Sequence, residues 1–528
     1  MQRFYTFCIR FLQISSLILF GILAVSSFFL TAYLENAYEI VIQLGWDNPL
    51  LNLLFLCCFL ALLMGIGKIF LHFEKGAPVL LALSCLWIFG ASLLWTYLSK
   101  SGPASDCGSV YYAAKRFAVD DFSAISYRDS YFSVYPFQLG LTFFYEIIFR
   151  IVQSDNFHIL QGINALCLVV CTVSQYSLCG HFFRKKAAPV YTLLLTDFCL
   201  PFIMYGSYIY GEIPSFAFLL FGTWMLFLFL DSQADFSSVR KILCGILALL
   251  SLSFGVLVRK NSLVFMIALG IILVLWLLQN GRQLSSGKLA LYLIYFLLIF
   301  ALSVSIIPAV QSLYAKRSGQ HINPGIPSST YLAMGLMETE AGPGHYSGYN
   351  FETFTETADY DAEIASEIGW SDYQKQLAYF AAHPAYSLRF FWKKFCIQWL
   401  NTGWSVFDST FVAFGERHPV IESCFSGPLY DVLKAYMTNY QMVFYLLCAI
   451  CAFVCFRDKK KDTVFLYLFP LTALGGAILF LAWEASGRYV LPYAIFMLPC
   501  AGYGMYRLSD RVVQKFSVFQ KGKRTYEN

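Results

Sequence analysis

Apolar residues recur in runs long enough to cross a bilayer, which takes roughly 20 residues. The runs fall at about 11–34, 50–72, 78–99, 157–182, 188–209, 213–231, 242–258, 261–279, 289–312, 438–456, 463–483 and 488–507. Twelve spans are therefore predicted. Polar sequence between them is short, except at about 100–156 and 313–437. The first run follows Arg3 and Arg10, is too long for a signal peptide and lacks a small-residue cleavage site, so it reads as a retained anchor.

A further stretch at 135–152, "YPFQLGLTFFYEIIFRIV", is apolar enough to be a thirteenth crossing. Its polar residues argue otherwise. Gln138, Thr142, Glu146 and Arg150 recur every four positions and draw a stripe down one helix face, with Glu146 and Arg150 spaced to pair. Parity agrees. The basic runs are "HFFRKK" at 181–186, Arg240 with Lys241, Arg282 with Lys288, "RDKKKD" at 457–462 and the C-terminal tail, and all belong in the cytoplasm by the positive-inside rule. Twelve crossings from an inside N-terminus put every one of them there. The 135–152 stretch is thus expected to be an interfacial helix with Pro136 in its first turn. Just upstream, Val110, Ala113, Ala114 and Phe117 form an apolar i, i+3, i+4, i+7 face opposite Lys115 and Arg116, so 100–156 as a whole reads as an external loop lying on the membrane.

Composition fits an all-α polytopic membrane protein: of 528 residues, 58% are hydrophobic and only 13% charged. The net charge of +5 sits in the short basic runs, which speaks for orientation and not for nucleic acid. Sixteen cysteines lie mostly in apolar runs and form no paired CxxC framework for zinc or disulfides. The seven histidines show no ligand spacing, and His321, His345, His383 and His418 are expected to be solvated. Within 313–437 a Gly/Pro-rich portion precedes an acidic helical one and then the basic aromatic "RFFWKKFCIQWLNTGW". That last portion predicts another interfacial helix, with Arg389, Lys393 and Lys394 near lipid head groups.

Candidate chemistry gathers at the outer span ends. Asp106 follows a span directly, and Glu212 lies at the boundary between two, where an ionisable group is a functional hypothesis by default. Plainer roles exist for both: Asp106 could cap the helix beginning near Cys107, and Glu212 could favour a helix N-terminus through the dipole. Arg259 and Lys260 break two spans on the external side, and Arg488 opens the last span after Glu484. Cations so placed can hold a phosphate at head-group depth or serve as snorkelling anchors.

Several motifs, in order, are "SDC" with "YYAAKRFAVDDFS", "YPFQLG", "YGEIPSF", "RKNSLVF", "AMGL", "GPGHYSGYN" and "EASGRYVLPY". On these the chain resembles the GT-C glycosyltransferases that use polyprenyl-phosphate sugars, of the bacterial family 39 type related to protein O-mannosyltransferases and aminoarabinose transferases. The first-loop motif departs from the paired acids of the mannosyltransferases. Two extra N-terminal helices at 1–77 are a second departure; after them the resemblance implies a GT-C-like core at 78–312 with its catalytic loop at 100–156, an external subdomain at 313–437, further spans at 438–507 and a basic cytoplasmic tail at 508–528. It implies Asp106 and Glu212 as catalytic acids, Arg259, Lys260 and Arg488 as holders of the donor phosphate, and Tyr111, Tyr135, Gln138 and Tyr489 as substrate contacts. The implied partners are a polyprenyl-phosphate sugar donor, a cell-wall polymer, lipid or protein acceptor, and the bilayer of a bacterial plasma membrane, with the site facing outside. No cofactor or bound metal is implied as required, although a carboxylate site could recruit a divalent cation. A transporter or flippase would show internal repeats with broken spans in matching halves, which are not found in the sequence. A membrane polysaccharide polymerase would rely on arginines in the large loop, whose acidic half is the more prominent here.

Overall fold

A computed structural model describes residues 2–231, 238–458 and 464–526; the lysines of the 457–462 run lie outside these. The protein is an almost entirely helical membrane protein. Among the described residues ten helices are long and apolar enough to cross a bilayer, and an eleventh if the bent pair Ala188–Asp197 and Leu200–Ser207 counts as one span. That is fewer than the twelve expected. The last run falls partly in the 3-10 turn Gly487–Tyr489 and continues as the helix Leu491–Tyr526, where Pro492, Pro499, Gly502 and several tyrosines dilute the apolar pattern.

Two other runs break where local chemistry disfavours a continuous helix. The first helix, Gln2–Phe29, gives way to the strand Leu30–Tyr33, which pairs antiparallel with Gln43–Trp46, Leu30 opposite Trp46. Thr31 and Tyr33 suit a strand, and Thr31 Oγ1 donates to Asp47 Oδ2 at 2.5 Å to close the ribbon. The 188–209 run turns by 62° between Asp197 and Leu200, just before Pro201, which offers no backbone N–H and disfavours helix in the residue ahead of it. Conversely, the helices Ser286–Ser318 and Pro428–Arg457 run past their predicted ends into the 313–437 segment.

The 135–152 stretch resolves into a 3-10 turn, Pro136–Gln138, and the helix Leu139–Val152, whose 14 residues are too few to span a bilayer. Its polar stripe is turned inward, against the orientation expected of an interfacial helix. Gln138, Thr142 and Glu146 are buried. They can be, because each is bonded: Glu146 receives Arg150 at 2.8 Å and Arg317 at 2.7 Å, and Tyr314 donates to its second oxygen. The helix Ser105–Phe117 matches its pattern, burying Val110, Ala113, Ala114 and Phe117 and exposing Lys115 and Arg116.

Lys394 corrects another expectation. On the helix Pro384–Trp399, Arg389 and Lys393 are exposed, but Lys394 is fully buried. Its Nζ donates to the carbonyls of Trp483 at 2.7 Å, Leu481 at 3.0 Å and Gly335, tying the 313–437 segment to the C-terminal end of the helix Leu468–Ala482. Burial pushes the Lys394 amine down to about 7, against the Glu484 charge that favours its protonated form.

Candidate active site

Glu212 is placed by a glycine. Gly211 sits in the left-handed region at φ 89°, and a Cβ there would lie 3.0 Å from the Val258 carbonyl, so the chain turns into the helix Glu212–Leu230 only without a side chain at this position. The Glu212 carboxylate is thereby buried in the first helical turn. Arg259 comes from the extended break between the helices Ser238–Val258 and Leu263–Asn280, and Ser215 Oγ locks that break by donating to Gly255 O at 2.9 Å. Arg488 comes from the turn Gly487–Tyr489.

The three side chains meet. Arg259 Nη2 lies 2.6 Å and Arg488 Nε 3.7 Å from the same Glu212 oxygen. Among the described residues neither Glu212 oxygen receives a well-directed hydrogen bond, so the pairing is by charge. Two guanidinium groups thus face one carboxylate here, with the Glu484 carboxyl also in the field of Arg488. A cavity is lined by all three, and by Phe216, Phe265, Phe480 and Phe496. Phe216 is one turn deeper than Glu212 on the same helix, so the cavity passes from charge to aromatic wall along the membrane direction.

Asp106 joins this centre through Tyr210. Asp106 lies in the first turn of its helix and makes no side-chain cap; Ala104 is the cap residue, and its N–H goes to Cys107 Sγ at 3.2 Å. The capping role is therefore not the one Asp106 fills. Tyr210 Oη donates to Asp106 Oδ2 at 3.1 Å and accepts from Gln138 Nε2 at 2.6 Å, while Arg259 and Arg488 lie over its ring at 4.6 and 5.3 Å. Tyr131 Oη sits 3.3 Å from the same hydroxyl. One buried phenol thus links the loop acid to both arginines.

The remaining predicted residues divide. Gln138 is in the network, and Tyr489 lines the cavity while donating to Glu484 at 3.0 Å. Tyr135 stands beside Tyr131, ring centres 5.2 Å apart, and bonds to Tyr346. Lys260 is exposed and lies over Phe137 at 5.3 Å, away from Glu212. Tyr111 is not brought to the site: its ring packs on Phe149 and Phe157, and its hydroxyl donates to Asp155 O at 2.8 Å.

Sequence reasoning missed Tyr208, to which Arg488 Nη1 donates, Tyr210, Glu484 and the place of the "GPGHYSGYN" loop beside them. The three tyrosines of "YGSYIYGE" immediately before Glu212 were the available signal. In "GPGHYSG", Gly342, Gly344 and Gly348 all have positive φ, and Gly344 O accepts from Ala485 N at 2.7 Å, which seats the loop beside Glu484. Its His345 is not solvated as expected; Nε2 is buried without a partner among the described residues. Burial, with the charges of Lys394 and Arg488, pushes His345 down to about 4. Burial likewise raises the Glu484 carboxyl and pushes Asp408, which feels Arg488, up to about 7. Among the described residues no group of three His, Cys, Asp or Glu side chains is arranged to hold a metal. Compared with protein-family models, curated proteins and solved structures, the chain has no significant match.

Proposed function

We propose that the protein is a membrane glycosyltransferase that moves a sugar from a polyprenyl-phosphate carrier to an acceptor on the external face, by a single inverting displacement. The observation that carries this reading is the cavity in which Glu212, Arg259 and Arg488 meet an aromatic wall. A lipid-linked sugar phosphate is a phosphodiester with one negative charge, and it continues into an apolar chain. Two guanidinium groups at the head of an aromatic cavity match both halves of that molecule.

Asp106 then serves as base. Its carboxylate takes the proton of the acceptor hydroxyl as the acceptor oxygen bonds to the anomeric carbon. The bond from that carbon to the phosphate oxygen breaks, its electron pair stays on the phosphate, and polyprenyl phosphate leaves into the arginine pair. Glu212 keeps the two guanidinium groups fixed before the donor arrives, and Tyr210 sets the distance between base and phosphate. The localisation that goes with this activity is a bacterial plasma membrane with the site outside. Purified protein given a panel of polyprenyl-phosphate sugars with cell-envelope acceptors should release polyprenyl phosphate from at least one. Absence of release from every donor, with the folded protein verified, would overturn the reading.

A further inference from the structure

At the opposite end of the bundle the helices Gln2–Phe29, Pro428–Arg457 and Leu491–Tyr526 leave an open groove between them. Arg507 and Arg511 lie roughly 24–30 Å of helical rise beyond Leu491, so about one hydrocarbon thickness separates them from Arg488. The two arginines are four residues apart and share one face of the last helix. Both line the groove, together with Leu17, Ile450, Phe453 and Leu508. A third guanidinium borders it, since Arg457 lies over the Phe453 ring at 5.7 Å.

The lining is graded. Phe453 and Ile450 sit one and two turns deeper than Arg457 on the same helix, and Leu17 lies two turns deeper than Arg10, so apolar walls rise from a guanidinium-bordered mouth into the membrane. Phe453 remains 40% exposed. The charge at the mouth is partly answered within the chain: Arg507 donates to Tyr503 Oη at 2.8 Å and feels Asp458, while Asp510 accepts from Gln514 at 3.1 Å. Arg457 and Arg511 are exposed.

Three occupants would cover such walls, and the arginines choose among them. A second copy packed by two-fold symmetry would bring this patch against itself and set like guanidinium groups face to face. A free phosphate would leave the apolar walls wet. An anionic phospholipid satisfies both parts, because its phosphate lies at the depth where arginines at helix ends sit and its acyl chain continues inward. We infer that this groove binds an anionic phospholipid of the adjoining leaflet, its phosphate on Arg507 and Arg511 and an acyl chain against Leu17, Ile450 and Phe453. The site is separate from the donor cavity and independent of the transferase reading.

The full chain, purified in mild detergent, is exchanged into mixed phosphatidylglycerol and phosphatidylcholine, and retained lipid is counted by native mass spectrometry. Wild type should retain phosphatidylglycerol in preference to phosphatidylcholine. Arg507→Ala should lower that preference about fivefold and the Arg507→Ala/Arg511→Ala pair about 25-fold, on the scale of one basic side chain at an anionic surface, whereas Lys288→Ala should leave it unchanged. Equal retention of the two lipids by wild type, an unchanged preference in the double variant, or displacement of phosphatidylglycerol by inorganic phosphate alone would overturn the site. Where the double variant misfolds, Phe453→Trp decides: brominated phosphatidylglycerol should quench the tryptophan more strongly than brominated phosphatidylcholine, and equal quenching refutes the proposal. Efficient disulfide crosslinking of two Phe453→Cys chains in the membrane would assign the groove to a dimer and refute it as well.

Discussion

Two buried acids, Glu146 and Glu212, each bind two arginines, yet they are built to different standards. Glu146 is saturated: Arg150 and Arg317 supply directed hydrogen bonds to its oxygens, Tyr314 adds another, and Asp120 takes the outer faces of both arginines at 2.6 and 3.1 Å. Glu212 holds its arginines by charge at 2.6 and 3.7 Å with poor hydrogen-bond direction, and all three side chains open on a cavity. A saturated buried cluster fixes helices together. An unsaturated one beside a cavity retains donors for something else, and that difference, more than burial or charge, separates joint from site.

The largest effect should come from the acid that the second cluster serves. Asp106→Asn should lower sugar transfer by about 10²–10⁴-fold, the range for loss of a general base, while folding and donor binding persist. Since the Asp106 side chain makes no cap, Asn loses nothing structural except charge. Turnover at the wild-type rate, or product that keeps the donor's anomeric configuration, would end the base assignment.

Next in size is the arginine pair itself. Arg488→Ala and Arg259→Ala should each reduce kcat/KM for the donor by about 30-fold or more, the scale for truncating one member of a buried charge pair. Lys at either position should rescue only in part, because an ammonium cannot present two parallel donors to a phosphate. Donor kinetics of variants matched for expression would show this. If both Ala variants keep full donor use, the guanidinium groups are anchors and the comparison with Glu146 loses its meaning.

Much of this distinction was beyond the sequence. The positions that matter lay at the span ends, and Asp106, Glu212, Arg259 and Arg488 were legible there because charge at a membrane boundary is conspicuous. What joins them was not. Tyr210 looks like one of many aromatic residues until the turn at Gly211 brings its hydroxyl to Asp106 and its face to the arginines. The apolar face of Ser105–Phe117 was read correctly because one helix records its own periodicity. The stripe of Gln138 and Glu146 was drawn correctly and oriented wrongly, since periodicity reports that two faces differ and only distant partners such as Arg317 and Tyr210 decide which one is buried. Lys394 fails for the same reason: its three carbonyl acceptors lie on segments far along the chain.

The first cluster should respond in stability alone. Arg317→Ala leaves Glu146 buried with Arg150 and Tyr314, so the cost should be smaller than that of a fully broken buried pair, about 2 kcal/mol once the partial exposure of Arg317 is counted. Thermal melting in detergent should move down while turnover per folded molecule stays within about twofold, the change expected of a joint remote from the reacting atoms. Glu212→Gln should instead lower both. A large loss of turnover in Arg317→Ala at unchanged melting temperature would make the two clusters one functional unit.

The smallest effect concerns the loop that lies beside both Glu484 and Arg488. His345 is pushed down to about 4, chiefly by burial, from an ordinary value near 6.5. Between those values the unfolded loop binds more protons than the folded one, so the stability of the seated loop rises with pH across this window and is lost as pH falls toward 4. The groups facing His345 point the same way, because Lys394 and Arg488 are both cationic and oppose its protonation. Hydrogen exchange of the backbone at 342–348 should therefore lose protection, relative to the helix Ser105–Phe117, as pH is lowered from 6.5 to 4.5 after correction for intrinsic exchange rates. In His345→Gln, which fills a similar volume and does not titrate, the pH dependence should flatten while protection at pH 7 stays close to that of wild type. Equal pH dependence in the two proteins would assign the loss to a group other than His345; Asp408 is not that group, because its carboxyl, pushed up to about 7, contributes stability that grows as pH falls.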